Sequence, residues 1–297
     1  MNLKTLILMP VYKDWQNLDK LNNKINLIFS KKLNMKFDLI IIDDFSNEII
    51  NFNNFKLPSI NYLRIIKLHK NVGSQRAIAI GLKFINKFYK RKYQVIIIDS
   101  DGQDNPNGIV EMIFKSKLNN NCSVVSKRGQ RKEVLWFKVL YEIYNILIKF
   151  FSFKDIRYGN YSLISYNDVN RILLDPNLWN AFPPTLSINL KNLIEITMNR
   201  KKRFSGDSKM NFYGLIYHAM RVFSVLRFRI LLSSTFYMLV LTFYKVYELI
   251  PLLFFFILTF LILFNLSNFY LNLFCKKNFL INFEKIKVLN FICNRIY

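Results

Sequence analysis

Four short runs of β-branched and aliphatic residues, separated by amphipathic stretches, fill the first 110 residues of this 297-residue chain. Continuous apolar runs of four or five residues are typical of strands that are buried on both faces of a sheet. Because the stretches between them carry apolar residues at helical spacing, the pattern predicts a parallel α/β sheet of the Rossmann-like, nucleotide-binding kind. The predicted strands are residues 6–9, 39–42, 62–68 and 95–98, and the predicted helices are residues 18–29 and 74–89.

Acidic residues directly follow two of these strands. Asp43 and Asp44 end the second strand, and Asp99 and Asp101 follow the fourth. Ligands of open α/β sheets bind at the carboxyl ends of the strands, so the two pairs predict one shared site. Aspartate after a strand is also ordinary turn chemistry. Two pairs after separate strands, with Asp104 close behind, favour the site.

The second acidic group has the pattern of a metal site. Alternate residues of an extended segment point the same way, so Asp99, Asp101 and Gln103 can converge on one cation. Carboxylate and amide oxygens, completed by phosphate oxygens, suit Mg²⁺ or Mn²⁺. A metal that bridges a nucleotide diphosphate neutralises the charge that develops on the leaving phosphate.

The last third of the chain contains two long uncharged runs, residues 230–244 and 249–270. A helix needs about 20 apolar residues to cross the hydrocarbon core of a bilayer. The run at 249–270 is long enough by itself, whereas the run at 230–244 is long enough only if the helix extends to Phe228 and Tyr247. The short connection, with Pro251 beside it, predicts a transmembrane helical hairpin. Basic residues outside both runs place the two ends in the cytoplasm. These residues are Arg221, Arg227 and Arg229 before the hairpin, and Lys276 and Lys277 after it.

Small residue counts exclude several classes of protein. Three cysteines in no paired spacing exclude a disulfide scaffold and a thiolate zinc site. Two histidines leave little scope for a His-rich metal site or a Ser-His-Asp triad. The sequence contains no glycine-rich phosphate loop of the dinucleotide-binding or P-loop type.

The net charge of +24 indicates an anionic partner. Residues 111–229 hold 20 basic and 8 acidic residues, a net +12 and half of the excess. After Asp104 the chain has no adjacent acidic pair that would supply a general base for a hydroxyl acceptor, whereas a phosphate acceptor is already ionised and needs cations instead. The candidates for an acceptor phosphate are Arg128, Arg131, Arg200, Arg203, Ser208 and Lys209. The alternative is a polybasic patch on anionic lipid, which we favour for Lys201 and Lys202.

Seven motifs stand in order along about residues 3–230. They are Pro10-Val-Tyr-x-Asp14, Ile42-Asp-Asp-Phe-Ser46, Asn71-Val-Gly73, Asp99-Ser-Asp-Gly-Gln-Asp-Asn-Pro106, Ser126-Lys-Arg128, Gly159-Asn-Tyr-Ser162 and Arg200-x2-Arg203-x2-Gly-Asp-Ser-Lys209. The set resembles the GT-A glycosyltransferases of family 2. Its later members resemble the polyprenyl-phosphate branch, which includes dolichol-phosphate mannose synthase and bactoprenol glucosyltransferases.

This resemblance assigns roles to the residues of the motifs. It implies that Tyr12 stacks on the nucleotide base, that Asp44 hydrogen-bonds the base and that Asp14 helps to hold the nucleotide. The nucleotide-binding set is completed by Pro10, Asp43, Gly73 and Asp99. The implied metal ligands are Asp99, Asp101 and Gln103, and the implied catalytic residues are Asp101, Arg128 and Arg131.

Four positions depart from the pattern of that family. Lys13 stands where Asn is usual, Asp14 where Glu is, Phe45 where Gly is, and Met210 where an aromatic residue is common. None of these positions belongs to the expected metal ligands. They leave the sugar and the base of the donor open.

We therefore expect three regions: a GT-A domain with juxtamembrane amphipathic helices at 1–227, two transmembrane helices at 228–273 and a basic cytoplasmic tail at 274–297. The expected enzyme is an inverting, metal-dependent glycosyltransferase of the cytoplasmic membrane, with its catalytic domain in the cytoplasm. It would move a sugar from a UDP- or GDP-linked donor to polyprenyl phosphate, either undecaprenyl or dolichyl.

Three alternatives stay open at this point. The acceptor is a hydroxyl of a glycolipid or cell-surface polysaccharide in the first. The second is a non-catalytic membrane scaffold, against which the intact acidic motif argues. The third, nucleic-acid binding, explains the charge but not the hairpin, and no nucleic-acid partner is expected because no known module is present. A homo-oligomer is compatible with the sequence.

Overall fold

The computed structural model describes residues 3–129, 135–206, 212–244, 246–285 and 291–295. The strands in these residues are β1 (Lys4–Val11), β2 (Phe37–Asp43), β3 (Ile60–Lys67), β4 (Tyr93–Ile97), β5 (Val124–Arg128), β6 (Tyr158–Ser165), β7 (Ile194–Met198) and β8 (Phe291–Arg295). They form one sheet in the order β7-β5-β6-β4-β1-β2-β3-β8.

The first four strands run parallel, as the sequence predicts. β1 pairs with β2 on one side and with β4 on the other, and β2 pairs with β3. The rest of the sheet is mixed, because β6 runs antiparallel between β4 and β5 and β8 runs antiparallel along β3. The parallel register places the carboxyl ends of β1, β2 and β4 at one edge of the sheet.

Helices cover both faces of this sheet. They are α1 (Trp15–Ile28), α2 (Ser74–Phe88), α3 (Gly108–Leu118), α4 (Leu135–Ser152), α5 (Tyr166–Leu173), α6 (Phe182–Asn189), α7 (Phe212–Val225), α8 (Arg227–Phe243), α9 (Val246–Leu249) and α10 (Pro251–Lys285). The two helices predicted for the N-terminal part both occur. α1 begins earlier than predicted, at Trp15, and continues in a π-helical turn at Phe29–Leu33.

The core has two halves, one on each face of the sheet. Leu6 and Leu8 of β1 face the half that includes α2, whereas Ile7 and Met9 face the half that includes α1 and α3. All four side chains are fully buried. Burial of each such side chain is worth about 1.5–3 kcal/mol. Polar substitution is therefore unfavourable on either face, which accounts for the continuous apolar run.

The C-terminal helices confirm the predicted hairpin only in part. Among the described residues one helix, at Pro251–Phe274 within α10, is long and apolar enough to cross a membrane by length and composition. The other predicted span corresponds to α8, whose 17 residues reach only about 26 Å. α8 passes the same test only together with α7, to which it is joined at an 81° bend. A hairpin of two spans is therefore not shown.

The chain beyond residue 273, predicted as a tail, contains regular structure. α10 continues to Lys285. The strand β8 then extends the sheet along β3. Residues 291–295 thus return to the α/β domain and lie at the edge of its sheet.

Candidate active site

Asp44 holds the turn that leads from β3 into α2. Its Oδ1 accepts a hydrogen bond from the backbone N–H of Val72 at 2.7 Å, and its Oδ2 accepts one from the N–H of Gly73 at 2.8 Å. Burial raises the pKa of Asp44 to about 6, although the two backbone donors act in the opposite direction. Both oxygens of this predicted base-binding residue therefore contact the loop that carries Gly73.

Asp43 closes a second turn at the same edge. Its Oδ1 accepts a hydrogen bond from the backbone N–H of Ser46 at 2.9 Å, and the Ser46 hydroxyl accepts one from the N–H of Lys13 at 2.9 Å. Phe45, inside this turn, has a φ of +69°. A side chain costs about 1 kcal/mol or more in this left-handed region. The glycine that is usual at this position in the resembled family would avoid that strain.

The loop after β4 brings two carboxylates together. Asp101 Oδ1 accepts a hydrogen bond from the backbone N–H of Gln103 at 2.9 Å. Burial raises the pKa of Asp101, and the charge of Asp99 raises it further. Two carboxylates that repel each other in a partly buried loop are suited to share one cation.

Gly102, between these carboxylates, has no room for a side chain. Its φ is +75°, and a β-carbon built on it would lie 2.2 Å from the ring of Phe204. The backbone conformation and the contact both disfavour a β-carbon, so glycine is favoured at this position of the Asp-Ser-Asp-Gly motif on two independent grounds.

Residues 200–206, called here the strap, lie across this loop. The backbone N–H of Lys201 donates to the carbonyl of Gln103 at 2.8 Å. The N–H of Phe204 donates to the carbonyl of Asp101 at 3.3 Å. These backbone contacts place the two arginines of the strap beside the acidic residues.

Arg200 reaches the carboxylates on one side of the loop. Its Nε lies 3.3 Å from Asp104 Oδ1, and its Nη2 lies 3.9 Å from Asp99 Oδ2. The charges of Asp104 and Asp99 raise the pKa of Arg200, although burial acts to lower it. Asp104, with a side chain only 9% exposed, is thus part of an ion pair.

Arg203 joins the loop to the start of α1. It donates to Asp14, and its Nη1 lies 3.7 Å from Asp101 Oδ2. Asn17 donates to Asp14 Oδ1 at 2.8 Å and to the carbonyl of Ser205 at 2.9 Å. The Ser205 hydroxyl donates back to Asn17 Oδ1 at 2.6 Å. Asp14 therefore lies beside the carboxylates expected to bind metal.

The remaining predicted residues are spread more widely. Pro10 is buried within β1, and Tyr12 lies half-buried just beyond it, with Lys13 Nζ 5.5 Å from the ring centroid. Arg128 ends β5, paired with Met198 of β7. The structure brings together Asp14, Asp99, Asp101, Arg200 and Arg203. Three of the predicted residues, Arg131, Ser208 and Lys209, lie outside the described residues.

Two residues near this site were not assigned a role from the sequence. Asn160 of β6 donates to Asp99 Oδ1 at 3.1 Å, and Gln75 of α2 donates to Asn160 Oδ1 at 2.8 Å. Asn160 stands in the Gly159-Asn-Tyr-Ser162 motif, which by itself indicates no role for the amide, and Gln75 stands in none of the motifs. Only the pairing of β4 with β6 brings Asn160 to Asp99.

The acidic loop fits a metal that binds together with a nucleotide. No three His, Cys, Asp or Glu side chains converge as metal ligands within the part of the chain that the structure describes. Asp99, Asp101 and Gln103 offer two carboxylates and one amide oxygen, which is an incomplete set. Mg²⁺ and Mn²⁺ commonly bind through one or two carboxylates and complete their coordination with water and substrate phosphate.

A groove of about 630 Å³ opens beside the strap. It runs between the start of α3, with Asn107 just before the helix and Glu111 in its first turn, and residues 197–202. Arg200 lines this groove and also a smaller cleft beside Asp99. The arginine therefore lies between the acidic loop and an open surface that is large enough for a substrate group.

Comparison with known proteins gives a family and a fold. Residues 6–179 match the family model described as glycosyl transferase family 2. Comparison with curated proteins by sequence finds no match. Among solved structures, glucosyl-3-phosphoglycerate synthase from Mycobacterium tuberculosis, in complex with Mn²⁺, UDP and glucosyl-3-phosphoglycerate, is similar with a TM-score of 0.52 and 12% identity, over 77% of this chain and 80% of that one.

Two further structures are similar. A mycobacterial protein has a TM-score of 0.53 and 12% identity, over 77% of this chain and 75% of that one. S. aureus TarS 1-349, in complex with UDP-GlcNAc, has a TM-score of 0.46 and 15% identity, over 76% of this chain. The present chain spans 66% of the length of that TarS fragment.

Proposed function

The chain belongs to glycosyl transferase family 2 and is a glycosyltransferase, and we propose that it transfers a sugar from a nucleotide-diphosphate donor to the phosphate of a polyprenyl lipid. The observation that carries this proposal is the position of the strap. It places Arg200 and Arg203 within 4 Å of the carboxylates that follow β4.

The donor half of the site is the edge where β1, β2 and β4 end. We assign Asp99, Asp101 and Gln103 to a divalent cation, Mg²⁺ or Mn²⁺, which when bound would stabilise the negative charge on the leaving nucleotide diphosphate. The hydrogen bond from the N–H of Gly73 to Asp44 fixes the backbone of this loop. We place the nucleotide against that backbone. UDP- and GDP-linked sugars are both candidates. The synthase of the same fold was crystallised with Mn²⁺ and UDP.

We build the acceptor half of the site from cationic side chains that bind a phosphate, and not from a general base. A guanidinium carries five N–H donors, so Arg200 and Arg203 keep donors for a phosphate while they contact carboxylates. Asp104 is the first acidic residue after Asp99 and Asp101 in the sequence, and it is paired with Arg200 and largely buried. It is therefore poorly placed to remove a proton from a hydroxyl acceptor. Arg128, Arg131, Ser208 and Lys209 complete the proposed phosphate-binding set.

The proposed reaction is one displacement with inversion. An ionised phosphate oxygen of the lipid attacks the anomeric carbon of the sugar and forms the new C–O bond. The bond between that carbon and the β-phosphate oxygen breaks in the same step, and its electron pair leaves with the nucleotide diphosphate. No proton has to be removed from the acceptor, which agrees with an Asp104 that is ion-paired to Arg200 and largely buried.

A membrane location is part of the proposal. Side chains on α10 such as Leu252, Phe256 and Leu263 are 85%, 68% and 67% exposed. An apolar surface of this extent is typical of contact with lipid or protein. We propose that α10 crosses the cytoplasmic membrane together with α8 as a hairpin, and that the α/β domain faces the cytoplasm. Two crossings return the chain to the side of the membrane from which it came, as the pairing of β8 with β3 requires. The boundaries proposed from the sequence, 1–227, 228–273 and 274–297, remain our proposal for the functional regions.

The test uses the full chain in lipid nanodiscs with undecaprenyl phosphate and a panel of UDP- and GDP-sugars. We expect a lipid-linked monosaccharide, detected by mass spectrometry. Arg200→Ala and Arg203→Ala should each lower kcat/KM by roughly 10- to 100-fold, the value of a charged hydrogen bond. Lys202→Ala, in the same strap, is the matched control and should cost about fivefold or less. Equal small losses in all three variants would contradict the assignment.

A further inference from the structure

A chain of side-chain amides connects the start of α6 to the acidic loop. The backbone N–H of Phe182 donates to Gln75 Oε1 at 2.7 Å. Gln75 Nε2 donates to Asn160 Oδ1 at 2.8 Å, and Asn160 Nδ2 donates to Asp99 Oδ1 at 3.1 Å. Gln75 and Asn160 thus each accept one hydrogen bond and donate one, and the last acceptor is the carboxylate of Asp99.

The direction of this chain is fixed by its first member. A backbone N–H can only donate, so Gln75 must present its oxygen to Phe182 and its NH₂ group to Asn160. Asn160 must then accept through its oxygen, which leaves its NH₂ group for Asp99. Because Gln75 is only 7% exposed, water has little access to compete for these groups.

The sheet register explains why Asn160 lies in this position. Ile97 of β4 pairs with Ser162 of the antiparallel β6. β4 ends at Ile97, and the same register continued two residues past that end brings Asp99 opposite Asn160 of β6. The hydrogen bond from Asn160 Nδ2 to Asp99 Oδ1 shows that the two side chains are in contact. Residues that oppose each other across antiparallel strands have β-carbons about 5 Å apart. Asn160 is therefore held by the sheet itself and not by a loop.

Asp99 is consequently bound from two sides. Its Oδ1 accepts from Asn160, whereas its Oδ2 faces Arg200 of the strap at 3.9 Å. A hydrogen bond from a neutral amide orients a carboxylate without neutralising it. Ligating carboxylates are commonly oriented in this way, and loss of such a partner typically weakens metal binding by 10- to 100-fold.

We propose that Asn160 is a positioning residue that orients the Asp99 carboxylate for the divalent cation, and that Gln75 fixes the orientation of Asn160. This inference rests on the proposed metal role of Asp99. Gln75 lies two residues after Gly73, whose N–H binds Asp44. The same helix end therefore contacts both the nucleotide side and the metal side of the site.

The test measures Mn²⁺ affinity by electron paramagnetic resonance on the full chain, with UDP and, in a parallel titration, with GDP. Asn160→Ala and Gln75→Leu should each weaken Mn²⁺ binding, the first by 10- to 100-fold. The double variant should bind no more weakly than Asn160→Ala, because Gln75 acts through Asn160. Asn170→Ala removes a comparable amide hydrogen bond on α5, to the carbonyl of Tyr166, and serves as the matched control.

The thermal midpoint of each variant separates positioning from folding. Asn160→Ala should fall close to Asn170→Ala in midpoint while it differs in Mn²⁺ affinity and in the KM for metal. If Asn160→Ala is folded and binds Mn²⁺ as tightly as the wild type, the positioning role is wrong. Additive losses in the double variant would overturn the role of Gln75. If the wild type binds no Mn²⁺ with either nucleotide, the metal site itself is wrong, which is a separate failure.

Discussion

Substitution of Gly102 by alanine is expected to separate the strap from the acidic loop. Gly102 has a φ of +75°, and a β-carbon there would lie 2.2 Å from the ring of Phe204. The left-handed conformation costs alanine about 1 kcal/mol. Displacement of the packed ring adds about 1–3 kcal/mol. We therefore expect a total loss of about 2–4 kcal/mol in the free energy of unfolding.

Gly206, the last residue of the strap, offers a matched control for Gly102. Its φ is +74°, nearly the same, but nothing lies within 4 Å of a β-carbon built on it. Gly206→Ala should therefore show only the backbone cost of about 1 kcal/mol. The difference between the two variants measures the contact of Phe204 with the loop.

The assay is denaturant unfolding of the purified chain in detergent, together with transfer activity. Gly102→Ala should lose more activity than its loss of stability explains, because Arg200 and Arg203 belong to the strap and are displaced with it. Truncation of the ring by Phe204→Ala in the Gly102→Ala background should recover part of the stability. If Gly102→Ala and Gly206→Ala are equally stable and equally active, the strap does not depend on this contact and the reasoning is refuted.

Three further predictions follow from single features. Phe45→Gly should be more stable than Phe45→Ala by up to about 1 kcal/mol, because both variants lose the ring and only glycine relieves the φ of +69°; equal thermal midpoints of the two variants would contradict this. Burial raises the pKa of Asp44 from 3.8 to about 6, so the proton-linked stability is complete below about pH 4 and is lost as the pH rises through 6. Relative to D44N, the wild type should lose up to roughly 3 kcal/mol over that range in unfolding titrations, and a flat difference would exclude the shift. Phe256→Lys combined with Leu263→Lys on α10 should make the protein extractable from membranes by carbonate, since each lysine costs roughly 2.5–3.5 kcal/mol in the bilayer centre; full retention would argue against a spanning α10.

The parallel half of the sheet could be predicted because its signals are local. The runs that contain Ile7 and Ile41 are apolar throughout since both faces are covered, and this is visible in four consecutive residues. The acids after β2 and β4 were likewise predictable from their position at strand ends. The carboxylates of Asp99 and Asp101 do lie in one loop at the expected edge.

Contacts between distant parts of the chain could not be predicted in this way. Asn160 is 61 positions from Asp99, and Arg203 is 189 positions from Asp14. The motif around Arg203 indicated a cation for a phosphate. It did not indicate that the same segment would lie across the acidic loop, because that arrangement depends on backbone hydrogen bonds from Lys201 and Phe204 that have no residue-type signature.

The C-terminal helices show what composition alone leaves open. The uncharged run at residues 230–244 predicted a membrane span, but the helix in this region ends at Phe243 and bends sharply from α7 at its start. The longer run does form a continuous helix from Pro251. Hydropathy therefore predicted which residues form the apolar surface. It did not predict how that surface is divided between α8 and α10.

The central claim is that the acceptor is a lipid phosphate, and a comparison of acceptors tests it most directly. The full chain in nanodiscs should be given the same nucleotide sugar and Mn²⁺ with undecaprenyl phosphate, with undecaprenol of the same length, or with a glycolipid that offers only hydroxyl groups. We predict a sugar-phosphate-lipid product from undecaprenyl phosphate alone. Transfer to the hydroxyl of undecaprenol or of the glycolipid, with none to undecaprenyl phosphate, would contradict the proposed function.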